Sequence, residues 1–332
     1  MIKIVIDKDI PFLEGVFEPF AEVAAIEGRR ISRADVCDAE VLVVRTRTRC
    51  DASLLEDSAV RTLITATIGT DHIDLEWCRR NGIEVFNAAG CNARGVLQWV
   101  AAVLVHILKI KAMKPSEVTL GVVGAGNVGS LVEEYALRWG FNVLCCDPPR
   151  EEREHRGFLP VEEIFRQADI ITLHVPLDSS THHLIDDRLL NTAKSGAILI
   201  NSSRGEVVNT EALLHSGVEF ALDVWENEPD ICTSAAERAI VATPHIAGYS
   251  LQGKANASAR VAEILTERYG MPLSGWYPAG VRKTVPQPIS WQDLCSSIGR
   301  YFDLEAESCR FKADTGKFEQ LRNNYDYREE YF

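Results

Sequence analysis

The sequence predicts an α/β protein in which two doubly wound parallel sheets form two domains with an interdomain cleft. Three observations lead to this fold class: short continuous apolar runs, helix-length segments between them, and a glycine-rich turn directly after one run. Uninterrupted apolar runs are typical of strands buried on both faces of a parallel sheet. Strands that alternate with helices form right-handed βαβ units. A chain of 332 residues also exceeds one small core, which favours two or three domains.

Four apolar runs predict the strands of the first sheet. They cover residues 2–6, 41–44, 62–64 and 83–86. Helices are predicted between them, over 12–25 and 75–81. A longer helix over 95–110 follows, because apolar residues recur on one face at helical spacing.

A second α/β series begins after Lys114-Pro115-Ser116. Six strands are predicted, over residues 119–123, 142–146, 170–174, 197–201, 219–222 and 240–242. A further helix is predicted over 251–269. Four prolines between residues 272 and 288 then break the pattern, and a mixed, charged tail runs to Phe332.

This pattern divides the chain into three parts. Residues 1–94 form the first domain, and the helix over 251–270 is expected to pack back on it. Residues 95–250 form the second domain, and 271–332 form a small C-terminal segment. A cleft between two α/β domains is a common place for a small-molecule site.

Charge and cysteine content exclude several classes of function. The net charge is −13, which disfavours binding to nucleic acid. Nine cysteines without a C-x-x-C motif or a leader peptide indicate free thiols in a reducing cytoplasm. The longest apolar stretch, 96–110, is interrupted by polar residues and is short for a bilayer span. We therefore expect a cytoplasmic protein with no membrane contact, no nucleic-acid partner and no bound metal.

The strongest local motif is the run GVVGAGNVG from Gly121 to Gly129. Gly124, Gly126 and Gly129 satisfy G-x-G-x-x-G directly after an apolar strand. In such a turn the glycines allow a tight bend, close approach of the backbone to a pyrophosphate, and close helix packing. The N-terminus of the following helix offers free N–H groups to the phosphates. The motif predicts a Rossmann-like dinucleotide site, with an ordinary glycine-rich turn as the alternative.

Asp147 follows the next predicted strand, 23 residues after Gly124 (147 − 124 = 23). An acidic residue at this distance binds the ribose hydroxyls, and it repels a 2′-phosphate. NAD is therefore favoured over NADP, although Arg150 leaves NADP open. The alternative role for Asp147 is that of a turn-capping residue before Pro148 and Pro149.

Three polar residues follow strands of the second domain and together indicate oxidation of a 2-hydroxy acid. Arg204 offers a planar, two-pronged contact to a carboxylate. His245 is suited to remove an alcohol proton near neutral pH. Glu228 stabilises the resulting imidazolium and sets the tautomer. Taken one by one, an isolated arginine is more often part of a surface salt bridge, a lone histidine is more often structural, and Glu228 is also consistent with a solvated acidic loop.

At this point the sequence resembles the D-isomer-specific 2-hydroxyacid dehydrogenases. The order GVVGAGNVG, Asp147, NSSRGEVV, LDVWENEP and TPHIAGYS carries this resemblance. Within that family it resembles the erythronate-4-phosphate dehydrogenases. The more specific stretches are TATIGTDHID (65–74), AGCNARGV (89–96), CDPPR (146–150), HIAGYSLQGK (245–254) and KFEQLRNNY (317–325).

The resemblance implies NAD-dependent oxidation of 4-phospho-D-erythronate to 2-oxo-3-hydroxy-4-phosphobutanoate, in the vitamin B6 pathway and in a homodimer. It assigns catalysis to Arg204, Glu228 and His245. The predicted cofactor contacts are Gly124, Gly126, Asn127, Val128, Gly129, Asp147, Val175, Ser202, Ser203, Asp223 and Gly248. The predicted substrate contacts are Thr46, Thr67 and Tyr249, to which we add Arg45 as a cation beside Thr46.

The resemblance also gives each part of the chain a role: substrate binding for 1–94, NAD binding for 95–250 and dimerisation for 271–332. Two features depart from the family pattern. Val175 stands where relatives carry a hydroxyl residue near the cofactor, and the tail is shorter than the usual dimerisation domain. The alternatives are another D-2-hydroxyacid dehydrogenase, such as a 3-phosphoglycerate dehydrogenase, and an NAD-sensing binding protein with little turnover.

Overall fold

The computed structural model describes residues 1–332 of the chain, which group into two compact units. Unit 1 consists of Met1–Asn92 and Leu251–Lys283, and unit 2 of Ala93–Ser250 and Thr284–Phe332. Each unit contains one sheet in which all strand pairs are parallel. The predicted fold class of two doubly wound parallel sheets is confirmed.

The strands are β1 (Lys3–Asp7), β2 (Glu22–Ile26), β3 (Val41–Val44), β4 (Thr62–Thr65), β5 (Glu84–Asn87), β6 (Thr119–Val123), β7 (Asn142–Cys146), β8 (Ile170–Leu173), β9 (Ile198–Asn201), β10 (Glu219–Leu222) and β11 (Val241–Ala242). Unit 1 has the order β2-β1-β3-β4-β5, and unit 2 has the order β11-β10-β9-β8-β6-β7. In both units the second strand lies on one side of the first strand and the third lies on the other.

The helices are α1 (Arg33–Val36), α2 (Ala52–Leu55), α3 (Leu75–Arg80), α4 (Ala93–Lys111), α5 (Asn127–Trp139), α6 (Pro148–Glu154), α7 (Val161–Gln167), α8 (Asp187–Leu190), α9 (Thr210–His215), α10 (Thr233–Arg238), α11 (Leu251–Tyr269), α12 (Trp291–Tyr301), α13 (Leu304–Ala313) and α14 (Phe318–Asn323). Short 3₁₀ turns occupy Gly28–Arg30, Pro115–Glu117, Gly205–Val207 and Thr315–Lys317.

The sheet of unit 1 is buried on both faces. Each strand contributes to both, because its successive side chains point to opposite faces of the sheet. Ile4 and Ile6 of β1 pack in one cluster with Val261 and Leu265 of α11. Val5 packs in a second cluster on the other face, with residues of α1, α2 and α3. The chain therefore returns to unit 1 after residue 250 to cover one face of its sheet.

The helix predicted over residues 12–25 is wrong. The chain turns through residues 12–20, and β2 then pairs with β1 in register Lys3↔Glu22. Pro11, Pro19 and Gly15 interrupt helical hydrogen bonding in this stretch. The apolar residues are still buried, as Leu13 and Phe17 show, so the sequence pattern located core contacts but not their secondary structure.

The sheet of unit 2 is likewise covered on both faces. One face packs on α4, α5 and α12, and the other on helices that include α7, α9 and α10. By length and composition α4 could cross a bilayer, but most of it is buried in the core of unit 2. Trp99 in this helix is fully buried, and its Nε1 donates to Thr243 Oγ1 at 3.1 Å.

Residues 271–332, expected to be one separate segment, divide between the units. Residues up to Lys283 belong to unit 1, and those from Thr284 belong to unit 2. The reason is burial of apolar side chains. Met271 packs in the core of unit 1, whereas Leu294, Phe311 and Phe332 pack in the cores of unit 2.

Candidate active site

The turn between β6 and α5 contains close contacts that only glycine allows. Gly124 has φ +89°, and a Cβ there would lie 2.7 Å from the carbonyl oxygen of His174 and 2.9 Å from the side chain of Val175. A Cβ on Gly129 would lie 1.8 Å from the carbonyl oxygen of Gly124. In contrast, a Cβ on Gly126 would have no neighbour within 4 Å. The turn is thus tightly packed on the protein side and open at Gly126, which fits a pyrophosphate.

The N-terminus of α5 lies directly behind this turn. Asn127 and Val128 are its first residues, and the preceding Gly126 offers no side-chain cap. The first N–H groups of α5 can therefore bind phosphate oxygens. Nearby, burial lowers the pKa of His174 to about 3, so this imidazole is neutral near pH 7 and adds no charge beside the turn.

Asp147 directly follows β7 and has the capping role that the sequence offered as the alternative, whereas its contact to the ribose stays a prediction. Its Oδ1 accepts from Arg150 N at 3.0 Å as the N-cap of α6, and its Oδ2 accepts from Ala125 N at 2.8 Å. The carboxylate is therefore anchored in the glycine turn and keeps further lone pairs for ribose hydroxyls. Arg150 Nη1 donates to the carbonyl oxygen of Ala125 at 2.6 Å, and its Nε and Nη2 bind Glu154 at 2.7 Å. Because Arg150 is committed in this way, it braces the turn, and this arrangement favours NAD over NADP.

Arg204 follows β9 in a loop that Asn201 holds. Asn201 Oδ1 accepts from Ser203 N at 3.0 Å and from Ser203 Oγ at 2.8 Å. Asn201 Nδ2 donates to the carbonyl oxygen of Arg204 at 2.8 Å. A Cβ on Gly205 would lie 1.9 Å from the backbone of Trp225. Gly205 therefore lets the Arg204 loop pack directly on the loop after β10, which carries Glu228.

Ser202 is the predicted cofactor contact with the clearest structural signal. Its Oγ is buried and has no hydrogen-bond partner in the protein. An unpaired buried hydroxyl costs about 1–3 kcal/mol. A ligand that accepts or donates at this atom would remove the cost, as expected of a cofactor bound at the end of β9.

Glu228 and His245 form a direct pair at the carboxyl ends of adjacent strands, β10 and β11. Their atoms Oε2 and Nδ1 lie 2.7 Å apart, and Trp225 N donates to Glu228 Oε1 at 3.0 Å. Burial by itself would raise the pKa of Glu228, but His245, Arg322 and the Trp225 N–H lower it below its usual value. An ionised Glu228 accepts from Nδ1–H, which leaves Nε2 of the neutral ring as the basic nitrogen.

Asp223 holds the loop that carries His245. Its Oδ1 accepts from Thr243 Oγ1 at 2.6 Å and from Ile246 N at 2.8 Å, and its Oδ2 accepts from Ala247 N at 2.8 Å. Its backbone carbonyl oxygen accepts from His245 N at 2.7 Å. His245 has φ +58°, a conformation that non-glycine residues rarely adopt. The four bonds to Asp223 support this conformation, and the carboxylate has one lone pair left for a cofactor amide.

In unit 1 the predicted substrate residues follow the carboxyl ends of β3 and β4. Thr46 is exposed, and Thr67 Oγ1 lies 2.6 Å from Thr65 Oγ1. Arg45 is bound to Asp7, with Nε–Oδ2 at 2.7 Å and Nη2–Oδ1 at 3.2 Å, and also to Asp9 at 3.1 Å. Arg45 stays a prediction as a substrate contact, although two carboxylates already balance its charge.

A cavity of about 410 Å³ lies within unit 1. Its lining includes Cys91, Asn256, Arg260, Tyr277 and Lys283 and contains none of the predicted site residues. The chemistry of the candidate site therefore rests on the loops after the strands and not on this cavity.

Residues 97–247 match the family described as D-isomer-specific 2-hydroxyacid dehydrogenase, NAD-binding domain. An erythronate-4-phosphate dehydrogenase of Bacteroides fragilis is 41% identical over 99% of this chain and 97% of its own length. The chain belongs to the erythronate-4-phosphate dehydrogenase family. A relative of that name from Pseudomonas syringae pv. syringae is 43% identical over 80% of this chain and 72% of its own. Like the wider family, the protein is an NAD-dependent 2-hydroxyacid dehydrogenase.

Solved structures of dehydrogenases have the same fold. A D-lactate dehydrogenase from Aquifex aeolicus, complexed with NAD and lactic acid, matches with a TM-score of 0.69 at 24% identity, covering 84% of this chain and 100% of its own. An NAD⁺-bound 3-phosphoglycerate dehydrogenase from Entamoeba histolytica matches with a TM-score of 0.70 at 23% identity, covering 85% and 99%. At these identities the match concerns the fold.

Sequence reasoning missed two arginines of the C-terminal tail of this dehydrogenase. Arg322 lies beside Glu228 and Tyr249, and Arg328 binds the carbonyl oxygens of Ile246 and Tyr249 at 2.9 and 3.2 Å. Both lie more than 70 positions along the chain from these partners. The available signal for Arg322 was the stretch KFEQLRNNY (317–325), which supported the resemblance but received no role of its own.

Proposed function

We propose that this dehydrogenase oxidises 4-phospho-D-erythronate to 2-oxo-3-hydroxy-4-phosphobutanoate with NAD, as a step of pyridoxal phosphate (vitamin B6) biosynthesis. The observation that carries the proposal is the 2.7 Å contact between Glu228 Oε2 and His245 Nδ1, next to the Arg204 loop. The names of the full-length relatives support the choice of substrate. We further propose that the protein acts as a cytoplasmic homodimer.

In this proposal each residue of the candidate site has one task. His245 Nε2 accepts the proton of the C2 hydroxyl, and Glu228 stabilises the imidazolium that results. Arg204 binds the substrate carboxylate in a two-pronged contact and so fixes the orientation of C2. NAD supplies the hydride acceptor. The roles of Thr46, Thr67 and Tyr249 as substrate contacts, and of Asp223 and Gly248 as cofactor contacts, rest on the resemblance.

A substrate panel tests the proposal. Initial rates are measured with 4-phospho-D-erythronate, 3-phospho-D-glycerate and D-lactate, with NAD and with NADP, from the absorbance of the reduced nicotinamide. The expected result is the highest kcat/KM for 4-phospho-D-erythronate with NAD. A higher kcat/KM for 3-phospho-D-glycerate would make that compound the substrate in place of 4-phospho-D-erythronate. Tight NADH binding without oxidation of any hydroxy acid would make the protein an NAD-sensing module.

The assembly is tested separately, by light scattering during gel filtration. A mass close to twice 36.9 kDa is expected for the homodimer. A single-chain mass across the working concentration range would remove the homodimer from the proposal and leave the reaction untouched.

A further inference from the structure

Arg322 of α14 lies next to the pair formed by Glu228 and His245. Its Nη1 is 3.7 Å from Glu228 Oε2, the same oxygen that contacts His245 Nδ1. Its Nε donates to Tyr249 Oη at 3.1 Å. The carboxylate oxygen of Glu228 therefore faces a ring nitrogen on one side and a permanent cation on the other.

We propose that Arg322 is a positioning residue for the reaction. It keeps Glu228 ionised and lowers the proton affinity of the Glu228–His245 pair. The proposal rests on the proposed function, because it takes this pair as the acid–base group. Arg322 acts through Glu228 and not by contact with the substrate.

The tail holds Arg322 in a fixed place. Phe318, in the same helix, is 1% exposed and packs in a core of unit 2. Six residues after Arg322, Arg328 is 6% exposed and donates to the carbonyl oxygens of Gly95, Ile246, Ala247 and Tyr249. Three of these four carbonyls belong to the loop after His245. The tail is thus held on both sides of Arg322, by a core of unit 2 at Phe318 and by the His245 loop at Arg328, and the Arg322 side chain loses little further entropy when it faces Glu228.

Several other charged or titratable groups belong to the elements packed around the pair. Two of them are acidic: Asp223, whose carboxylate is held by the N–H groups of the His245 loop, and Glu226, whose Oε1 lies 2.6 Å from His183 Nε2. The others are Arg322, Arg328, Tyr249 and Tyr325. Of these cations, Arg322 is the one within 4 Å of the Glu228 carboxylate. Its charge therefore has the most direct effect on the pair.

The sign of the effect follows from the charges. Glu228 attracts a proton to the pair, and Arg322 offsets part of that attraction because it is a cation. Arg322 is one of the groups that lower the pKa of Glu228. Without it the pair holds its proton to higher pH. Oxidation needs the unprotonated base, so the acid limb of kcat/KM moves to higher pH. The reverse reaction needs the protonated acid, so its activity extends to higher pH as well.

The test compares Arg322→Gln, Arg322→Lys and the control Arg310→Gln. Arg310 lies on α13, and its exposed side chain pairs with Glu307. For Arg322→Gln we expect the acid limb of the kcat/KM profile to move to higher pH by about 0.5–1 unit. At pH values above this limb, kcat/KM should be within about twofold of the wild-type value. Arg322→Lys should restore most of the shift, and Arg310→Gln should behave as wild type. Arg322→Met, which keeps an apolar stem, replaces Arg322→Gln if that variant does not fold.

An unshifted acid limb in Arg322→Gln, or an equal loss of kcat at every pH, would overturn the proposal, because a structural defect would give the second result. A pH titration of the histidine NMR signals, with His245 assigned from its loss in His245→Asn, gives a readout that needs no turnover. If the pair titrates at higher pH in Arg322→Gln while 4-phospho-D-erythronate is not oxidised, the proposed substrate fails and Arg322 keeps its role. If the pair titrates in Arg322→Gln as it does in the wild type while 4-phospho-D-erythronate is oxidised, the proposed substrate stands and the proposed role of Arg322 fails.

Discussion

The two units share one sheet topology but differ at the carboxyl end of the first strand of each sheet. In unit 1, β1 ends at Asp7, which is fully buried and paired with Arg45. In unit 2, β6 leads into the glycine turn, which is open at Gly126, where an added Cβ would meet nothing within 4 Å.

In open α/β sheets ligands bind at this end of the strands. Unit 1 fills the position with an ion pair, whereas unit 2 leaves it open at Gly126. In unit 1 a Cβ on Gly28 would lie 2.6 Å from Asp7 Oδ2, so the lack of a side chain at Gly28 leaves room for the ion pair. The comparison shows that the residues of the loops, and not the shared topology, decide which sheet binds the dinucleotide.

The largest effect is expected at the loops of unit 2 that carry the proposed catalytic residues. His245→Asn should lower kcat by about 10²–10⁴-fold, the usual contribution of a positioned acid–base group. Asn is chosen because it tolerates the positive φ of this position. NAD affinity should be retained, as measured by calorimetry. His215→Asn, at the exposed end of α9, is the control. Wild-type turnover in His245→Asn would remove this residue from the mechanism.

The next effect concerns the ion pair of unit 1. Arg45→Met leaves the buried carboxylate of Asp7 uncompensated, which should lower the free energy of unfolding by about 3–5 kcal/mol. Denaturant titration measures the loss, and the double variant Asp7→Asn/Arg45→Met should recover much of it. If stability is kept and the KM for the hydroxy acid rises instead, Arg45 is a substrate contact and not a structural cation.

A smaller effect is expected at Asp147. Asp147→Ala should weaken NAD binding by about 1.5–3 kcal/mol, because charge-assisted bonds to the ribose are lost. The variant also removes the N-cap of α6. Asp186→Ala removes the equivalent cap of α8, where the Asp186 side chain accepts from Leu189 N at 2.9 Å, and serves as the matched control. Equal NAD affinity in both variants would reduce Asp147 to a capping residue.

The smallest effect sharpens the contrast between a filled and an open strand end. A Cβ on Gly126 would meet no atom within 4 Å, so Gly126→Ala should change stability by less than about 0.5 kcal/mol. It should still weaken NAD by about tenfold, or ~1.4 kcal/mol, because the methyl group lies where the pyrophosphate approaches. Gly217→Ala, equally unobstructed in unit 2, is the control. Unchanged NAD affinity in Gly126→Ala would mean that the pyrophosphate does not bind next to Gly126.

The sequence predicted most of the fold because buried parallel strands have a simple pattern. The apolar runs located every strand except β2, of which four of the five residues were assigned to the helix over 12–25. β2 is an edge strand with two of its five side chains exposed, and its apolar run over residues 23–26 contains two alanines, which are depleted in strands. Only its pairing with β1 marks it as a strand.

The candidate site was predictable to the extent that its residues follow strands. Arg204, Glu228 and His245 come after β9, β10 and β11, which are neighbours in the sheet, so their proximity follows from the order of strands. Arg322 could not be found in this way. It reaches Glu228 from a helix 94 positions away along the chain (322 − 228 = 94), and no periodicity encodes that approach.

The sequence by itself determined the two sheets, the dinucleotide turn and the residue types needed for hydride chemistry, because each depends on local spacing along the chain. Only the tertiary structure decided that Arg45 pairs with Asp7, that Arg150 braces the glycine turn and that the tail joins the His245 loop. These contacts depend on which groups, distant along the chain, come within a few ångströms of each other in the folded protein. Burial then strengthens the electrostatic interaction between them.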